Sequence, residues 1–175
     1  MGNSEQAVLI EGDGLVLREW SEDDLPAMVD LFDEAQVAYW TPLVTPFDLA
    51  EARAYLDKVR GARAEGTRLH LAITTDGRAP LGEVLVTSTG TLGYAVGSAH
   101  RGQRLALRAT RLLTAYAHDT LGLPRLRLQI EDENGASVAV AKGAGYRRID
   151  EEERLEEKGR PLVLHSWVHA RQPER

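Results

Sequence analysis

The segment Gly93-Tyr94-Ala95-Val96-Gly97-Ser98-Ala99-His100-Arg101-Gly102-Gln103-Arg104-Leu105-Ala106 constrains this chain more than any other, because it runs from a strand through a tight turn into a long helix. The first amides of a helix have no intrahelical partner and lie at the positive end of its dipole. A turn of this kind is therefore an anion site built from backbone. The small residues Gly102 and Ala106 let anionic oxygens come close. Arg101, Arg104 and Arg108 recur at helical spacing and are expected to add charge on about one face. An ordinary strand-to-helix turn would read the same way, so the rest of the chain has to decide.

Periodicity and turn residues order that remainder. Leu15 to Trp20 reads as a strand, followed by a helix from about Asp23, since Pro26 is tolerated only in a first turn and Asp23 is a better cap than Ser21. Thr41 to Phe47, with Pro42 and Pro46, reads as a loop. Asp48 and Glu51 form a capping-box variant heading a helix that ends near Gly66, with Ala52, Tyr55, Leu56 and Val59 at helical period. Strands at about Arg68 to Thr74 and Leu81 to Thr89 flank the hairpin pair Asp76-Gly77, and the next strand is Thr91 to Gly97.

The long helix after the turn is expected to bury Leu105, Ala109, Leu112, Leu113 and Tyr116, and to stop at Leu121-Gly122-Leu123-Pro124. Arg125 to Glu131 alternates as a strand, and Asn134 opens a short helix. One strand lies within Tyr146 to Leu155 and another is Leu162 to Ala170, joined around Lys158-Gly159-Arg160. This order predicts a mixed α/β fold with a largely antiparallel central sheet and helices on both faces. One domain over residues 1–175 is expected, ordered from about residue 8 to 171, with disordered termini.

Asn134-Gly135-Ala136-Ser137 and the later Gly145-Tyr146 complete a pattern with the turn at Arg101 to Ala106. In these motifs the chain resembles the Gcn5-related N-acetyltransferase (GNAT) superfamily, in particular its branch of ribosomal-protein N-terminal and antibiotic acetyltransferases. The family's Arg/Gln-x-x-Gly-x-Gly/Ala turn falls on Arg101 to Ala106. Its Asn-x-x-Ser/Ala and Gly-Phe/Tyr fall on Asn134, Ser137, Gly145 and Tyr146. Two positions depart from the pattern: Arg104 replaces the usual second glycine, as in some members, and Ala141 stands where many members carry a proton-donating tyrosine.

The resemblance implies acetyl-CoA as cofactor and direct attack by an amine in a ternary complex, which needs no cysteine nucleophile. It implies that the strands before and after the long helix run parallel and splay apart, with the pantetheine arm lying in the gap. The unpaired backbone of Tyr94, Ala95 and Val96 would then bind the arm. Arg101, Gly102, Gln103, Arg104, Leu105 and Ala106 would hold the pyrophosphate, and Asn134 and Ser137 would contact the cofactor. Ser137 is the expected donor to the leaving thiolate, and the amide near Val96 the oxyanion donor. Glu83, Glu131 and His165 are candidates for the general base, each with an ordinary structural reading beside it. Trp40 and Trp167 are candidates for an acceptor pocket.

Charge bears on the partner. Glu19 to Glu51 holds nine acidic residues and no Lys or Arg, whereas His100 to Arg111 holds four arginines and no acid. A polyanionic cofactor and a cationic acceptor fit that division, which points to a protein N-terminus, or alternatively an aminoglycoside or other small amine. A solvated helix face reads equally well. A non-catalytic coenzyme A sensor is the reading from a different class. The net charge of −6 disfavours nucleic acid. No apolar run reaches membrane-spanning length, five scattered histidines lack ligand spacing, and the absence of cysteine suits the cytoplasm. An apolar edge at Leu162 to Val168 would support a homodimer.

Overall fold

Thirteen α-helices and β-strands follow one another over residues 6–173, which are the residues the computed structural model describes. The two termini expected to be disordered fall partly on residues 1–5 and 174–175, outside the described residues. In chain order the elements are β1 (Leu9–Gly12), β2 (Leu15–Glu19), α1 (Leu25–Phe32), α2 (Ala35–Trp40), α3 (Leu49–Glu65), β3 (Arg68–Thr74), β4 (Gly82–Thr87), β5 (Leu92–Val96), α4 (Leu105–Asp119), β6 (Arg125–Ile130), α5 (Gly135–Gly143), β7 (Arg147–Glu157) and β8 (Arg160–Ala170).

Two elements were not foreseen. β1 pairs with β2 across Asp13-Gly14, whose φ values of 48° and 72° form the tight turn that an Asp-Gly pair favours. α2 is a six-residue helix with no side-chain cap, so neither length nor capping marks it in the sequence. The α1 cap also shifts. Asp24, not Asp23, closes the turn, its carboxylate accepting from the Ser21 amide at 2.8 Å and from both terminal nitrogens of Arg18 at 2.8 Å. Burial opposes the Asp24 charge, but these partners outweigh it and hold the carboxyl below its ordinary range. The α3 boundaries follow expectation, with Asp48 Oδ1 accepting from the Glu51 amide at 2.9 Å and Gly66 left-handed at φ 71°.

β1 to β5 form one antiparallel sheet in sequence order, and β6, β8 and β7 form a second with β8 in the middle. The two sheets touch at a single parallel bridge, Thr91 with Arg127, reinforced by the Arg127 amide donating to Gly90 O at 2.8 Å. Gly90 permits that approach: it is left-handed at φ 90°, and a Cβ there would lie 2.5 Å from Arg125 O. Beyond the bridge β5 and β6 pair with nothing between them among the described residues, so the parallel strands diverge toward their C-terminal ends.

One apolar cluster fills the α4/α5 side with Leu105, Ala109, Leu113, Leu126 and Leu128, while Leu112 and Tyr116 pack against it half-buried. The other lies under α1 and α3 around Phe32, Phe47 and Leu56. The expected apolar edge for a homodimer is not available, because β8 is paired on both sides. The strand at the edge is β7, whose exposed run Asp150 to Arg154 is charged throughout and discourages strand addition.

Candidate functional site

The open edge of β5 is set by ladder parity. The Gly97 amide donates to Leu81 O at 3.1 Å and Thr91 O accepts from the Thr87 amide at 2.9 Å, so the odd-numbered residues between them turn their backbone toward β4. Ala95 is thus bonded to Glu83 and is removed from the expected set of unpaired groups. Tyr94 and Val96 keep theirs, facing the gap.

Two left-handed residues shape the turn that follows. Gly102 has φ 86° with nothing within 4 Å of where a Cβ would sit. Arg104, the N-cap of α4, has φ 55° and ψ 30°. That conformation is what glycine normally supplies, which gives the Arg104 departure from the family pattern a backbone reason. Left-handed residues in such a turn swing successive N–H groups into one concavity suited to anions. No side chain caps α4, so the first amides from Leu105 and Ala106 remain available to a ligand. Leu105 itself is buried in the core, and Ala106 is half-buried.

The arginines do not form the expected helical face. α4 begins only at Leu105, which leaves Arg101 outside it. Arg101 binds Gln36 and, at 3.1 Å, Glu34, tying the turn to the start of α2. Arg108 donates to Asp13 O at 2.6 Å and 3.0 Å and to Gln103 O at 3.3 Å, bracing the β1–β2 turn. Gln103 reaches His100 O at 3.4 Å. Of the three arginines, Arg104 alone projects from the turn without a bonded side chain among the described residues.

α5 begins across the gap. Asn134 Oδ1 caps it by accepting from the Ser137 amide at 3.2 Å, which places Ser137 in the first turn. The Tyr94 hydroxyl, from β5, is buried with no hydrogen-bond partner among the described residues, and burial pushes the phenol up to about 12. Ala141 is fully buried and offers no polar group. The Gly-Tyr pair is structural: Gly145 is left-handed after α5, and the Tyr146 hydroxyl shares a 2.7 Å hydrogen bond with Thr114 on α4.

The base candidates separate. Glu83 is buried on the α1/α3 side, with Oε2 accepting from Trp20 Nε1 at 2.8 Å and Oε1 from the Tyr55 hydroxyl at 2.5 Å. Burial, followed by the Glu83 charge, pushes the Tyr55 phenol far up, so its proton stays on oxygen. His70 Nδ1 lies 3.2 Å from the Tyr55 oxygen, and with the phenol proton committed to Glu83 it is the imidazole that donates. This closed network holds Glu83 away from solvent.

Glu131 and His165 instead line a cleft of about 500 Å³ beyond the C-terminal end of β6, with Tyr39, Asp132, Glu152 and Arg160. Arg160 grips Glu131 at 2.7 and 3.2 Å and stacks 4.1 Å from the Tyr39 ring centroid. His165 has both nitrogens engaged, Nδ1 accepting from Arg148 at 2.8 Å and Nε2 lying 3.2 Å from Asp132. Tyr39 was missed because its helix was missed. Trp40 stands exposed against Tyr39, whereas Trp167 is buried in the α4/α5 core.

Folding pairs four of the nine residues of the acidic N-terminal run with arginines. Glu19 pairs with Arg63 at 2.9 Å, Glu22 with Arg53 and Arg60 at 3.2 and 3.3 Å, Asp24 with Arg18 and Glu34 with Arg101. Among the described residues no group of three or more His, Cys, Asp or Glu side chains is placed to hold a metal ion, and no helix is long and apolar enough to cross a membrane.

Comparison with known proteins agrees with this geometry. A family model described as an acetyltransferase (GNAT) domain matches residues 14–147. Mycobacterium smegmatis RimJ, solved with CoA-disulfide, superimposes with a TM-score of 0.81 at 19% identity, covering 94% of this chain and 86% of its own. The ribosomal-protein-S5-alanine acetyltransferase from Vibrio fischeri does so at 0.79 and 16% identity, covering 93% and 96%. The microcin C7 self immunity acetyltransferase MccE, solved with acetyl-CoA and AMP, gives 0.78 at 15% identity, covering 91% and 93%. At these identities the likeness establishes a shared fold. No curated protein matches the chain by sequence.

Proposed function

This chain belongs to the GNAT acetyltransferases, and from that premise we propose that it moves an acetyl group from acetyl-CoA to a primary amine at the opening between β5 and β6. One observation carries the reading: an unpaired strand edge at Tyr94 and Val96 leads directly into the uncapped, left-handed turn that starts α4. An amide-rich arm needs such an edge, and a diphosphate needs such a turn. The residues present fit the group. The backbone of Tyr94 and Val96 aligns the pantetheine, the turn from Gly102 to Ala106 holds the phosphates, and Arg104 adds charge. Arg101 acts at one remove, by fixing the turn.

The thioester bound there supplies an activated acyl carbon. Val96 N–H is the donor for the oxygen that gains charge during attack, and Ser137 the donor to the departing sulfur. The acceptor enters through the cleft at Tyr39 and Glu131. Glu131, paired with Arg160, stands beside Asp132, Glu133 and Glu152 in that cleft, and this acidic lining favours a cationic amine such as a protein N-terminus. The Vibrio fischeri neighbour, solved as a ribosomal-protein-S5-alanine acetyltransferase, supports that acceptor class.

Calorimetry with coenzyme A, followed by thiol release from acetyl-CoA in the presence of N-terminal peptides, aminoglycosides and simple amines, tests this. Binding of coenzyme A with turnover on peptides is the expected result. Binding without turnover on any amine would favour the sensor reading, and no binding would end both.

A further inference from the structure

α2 lacks the means to hold itself. A helix of six residues is shorter than hydrogen bonding alone sustains, and no side chain caps its start. Its far end is tied by the turn between β7 and β8, 120 residues along the chain. There the Lys158 ammonium donates to Ala38 O at 2.5 Å, to Thr41 O at 3.1 Å and to Leu43 O. An ammonium has three N–H donors, so the set is complete. Arg160, just past the same turn, donates to Tyr39 O at 3.1 Å while its guanidinium covers the Tyr39 ring and grips Glu131. Two carbonyls of the last turn of α2, which have no partner within the helix, are thus capped by cations at the negative end of its dipole. Lys158 does this from a strained backbone. It is left-handed at φ 51°, with Gly159 at φ 73°, in a two-residue hairpin loop whose first position ordinarily falls to asparagine, aspartate or glycine. Such a residue persists where its surroundings fix it, and here three carbonyls do so.

We propose that Lys158 is a positioning residue for acceptor binding: by capping α2 from the β7–β8 turn it fixes Tyr39 against Arg160, and with them the wall of the cleft at Glu131. The inference rests on the acetyltransferase reading above and on its placing of the acceptor, and adds a residue to it. Lys158 does not line the cleft and acts through α2. Without the ammonium, the three carbonyls turn to water at little cost to the fold, because these contacts are exposed, and the end of the short helix frays. Tyr39 then leaves Arg160, and the acceptor loses one side of its cleft. The start of α2 keeps its own tie to Arg101, so the coenzyme turn is unaffected.

The chain contains no cysteine, so Lys158→Cys carries a single thiol. Alkylation with 2-bromoethylamine rebuilds an ammonium at lysine length, and iodoacetamide gives a neutral arm of similar length. These two proteins, Lys158→Met and the wild type are compared in acetyl transfer to a peptide with a free N-terminal alanine, in coenzyme A calorimetry and in acrylamide quenching of tryptophan fluorescence. Trp40 reports on α2, since it is 37% exposed while Trp20 and Trp167 are 5% and 6% exposed. Lys158→Met and the neutral arm should raise KM for the peptide about tenfold, leave kcat within about twofold of wild type and increase quenching. The aminoethyl arm should restore both KM and quenching, and coenzyme A affinity should be the same in all four proteins. A KM equal to wild type in Lys158→Met, a neutral arm that works as well as the charged one, or a matching loss of coenzyme A affinity would overturn the proposal. Unchanged quenching in Lys158→Met would overturn the cap whatever the acceptor. A wild type that binds coenzyme A but turns over no peptide would instead overturn the acceptor reading on which the proposal rests.

Discussion

Adjacent residues of β5 face two different chemistries. On the α1/α3 side, behind Ala95, the Glu83 carboxylate has Trp20, Tyr55 and His70 around it and every near contact is answered. On the α4/α5 side the Tyr94 hydroxyl has no well-formed bond, and the Tyr94 and Val96 backbone faces a gap. One wall is a closed polar network that fixes the strands. The other is a set of donors and acceptors left open at a place where parallel strands part. Buried polar groups are ordinarily satisfied, so the unsatisfied wall is the one that awaits a ligand.

That contrast breaks if the closed wall proves dispensable. Glu83→Ala would strand the Trp20 N–H, the Tyr55 hydroxyl and His70 in the core, and is expected to cost about 3–5 kcal/mol in chemical denaturation. A small loss of stability with a large loss of turnover would instead make Glu83 a working base. A sharper version compares neighbours on one strand. Ala95→Pro deletes an N–H bonded to Glu83 and should destabilise by about 3 kcal/mol. Val96→Pro deletes one that faces the gap, and should cost less than about 1 kcal/mol of stability while weakening coenzyme A about tenfold in calorimetry. Equal destabilisation by the two prolines would mean that β5 has no open edge.

Smaller effects refine the picture. Arg104→Gly relieves a left-handed arginine at φ 55°, and after the entropy of the new glycine should stabilise the apo protein by about 0.5–1 kcal/mol. Its coenzyme A affinity then reports what the arginine charge contributes. The mildest effect lies between α4 and β8, where His118 Nε2 sits 2.9 Å from His169 Nδ1. Burial, and then His118, lower the His169 pKa from 6.5. The unfolded chain therefore binds the proton first as pH falls. The stabilising contribution is complete above 6.5 and is lost as pH drops through the lower folded value. Melting temperatures of His169→Gln should vary less with pH over that interval than those of the wild type.

Much of the site was legible from local signals. The Gly102 turn, the Asn134 cap with Ser137 beside it, and the strand holding Tyr94 and Val96 all lie within short windows where spacing and turn residues carry the information. What failed depended on partners far along the chain. The acidic run from Glu19 to Glu51 suggested a negative lobe, yet Arg63, Arg53 and Arg60 of α3 pair with Glu19 and Glu22. Arg101, Arg104 and Arg108 looked like one helical face, but Arg101 lies outside α4 and is bonded to Glu34, and Arg108 to Asp13. Trp167 looked like a pocket aromatic and is core. A six-residue helix without caps hid Tyr39 altogether.

The sequence by itself determined the order of elements, the left-handed turn before α4 and the family pattern, because each arises from bonds and torsions among near neighbours. Tertiary structure alone decided which strand edge stays open, which carboxylates are paired, and that the Tyr94 hydroxyl is buried without a partner. Those outcomes depend on register and on the distance at which two sheets part, and no window of sequence contains either quantity.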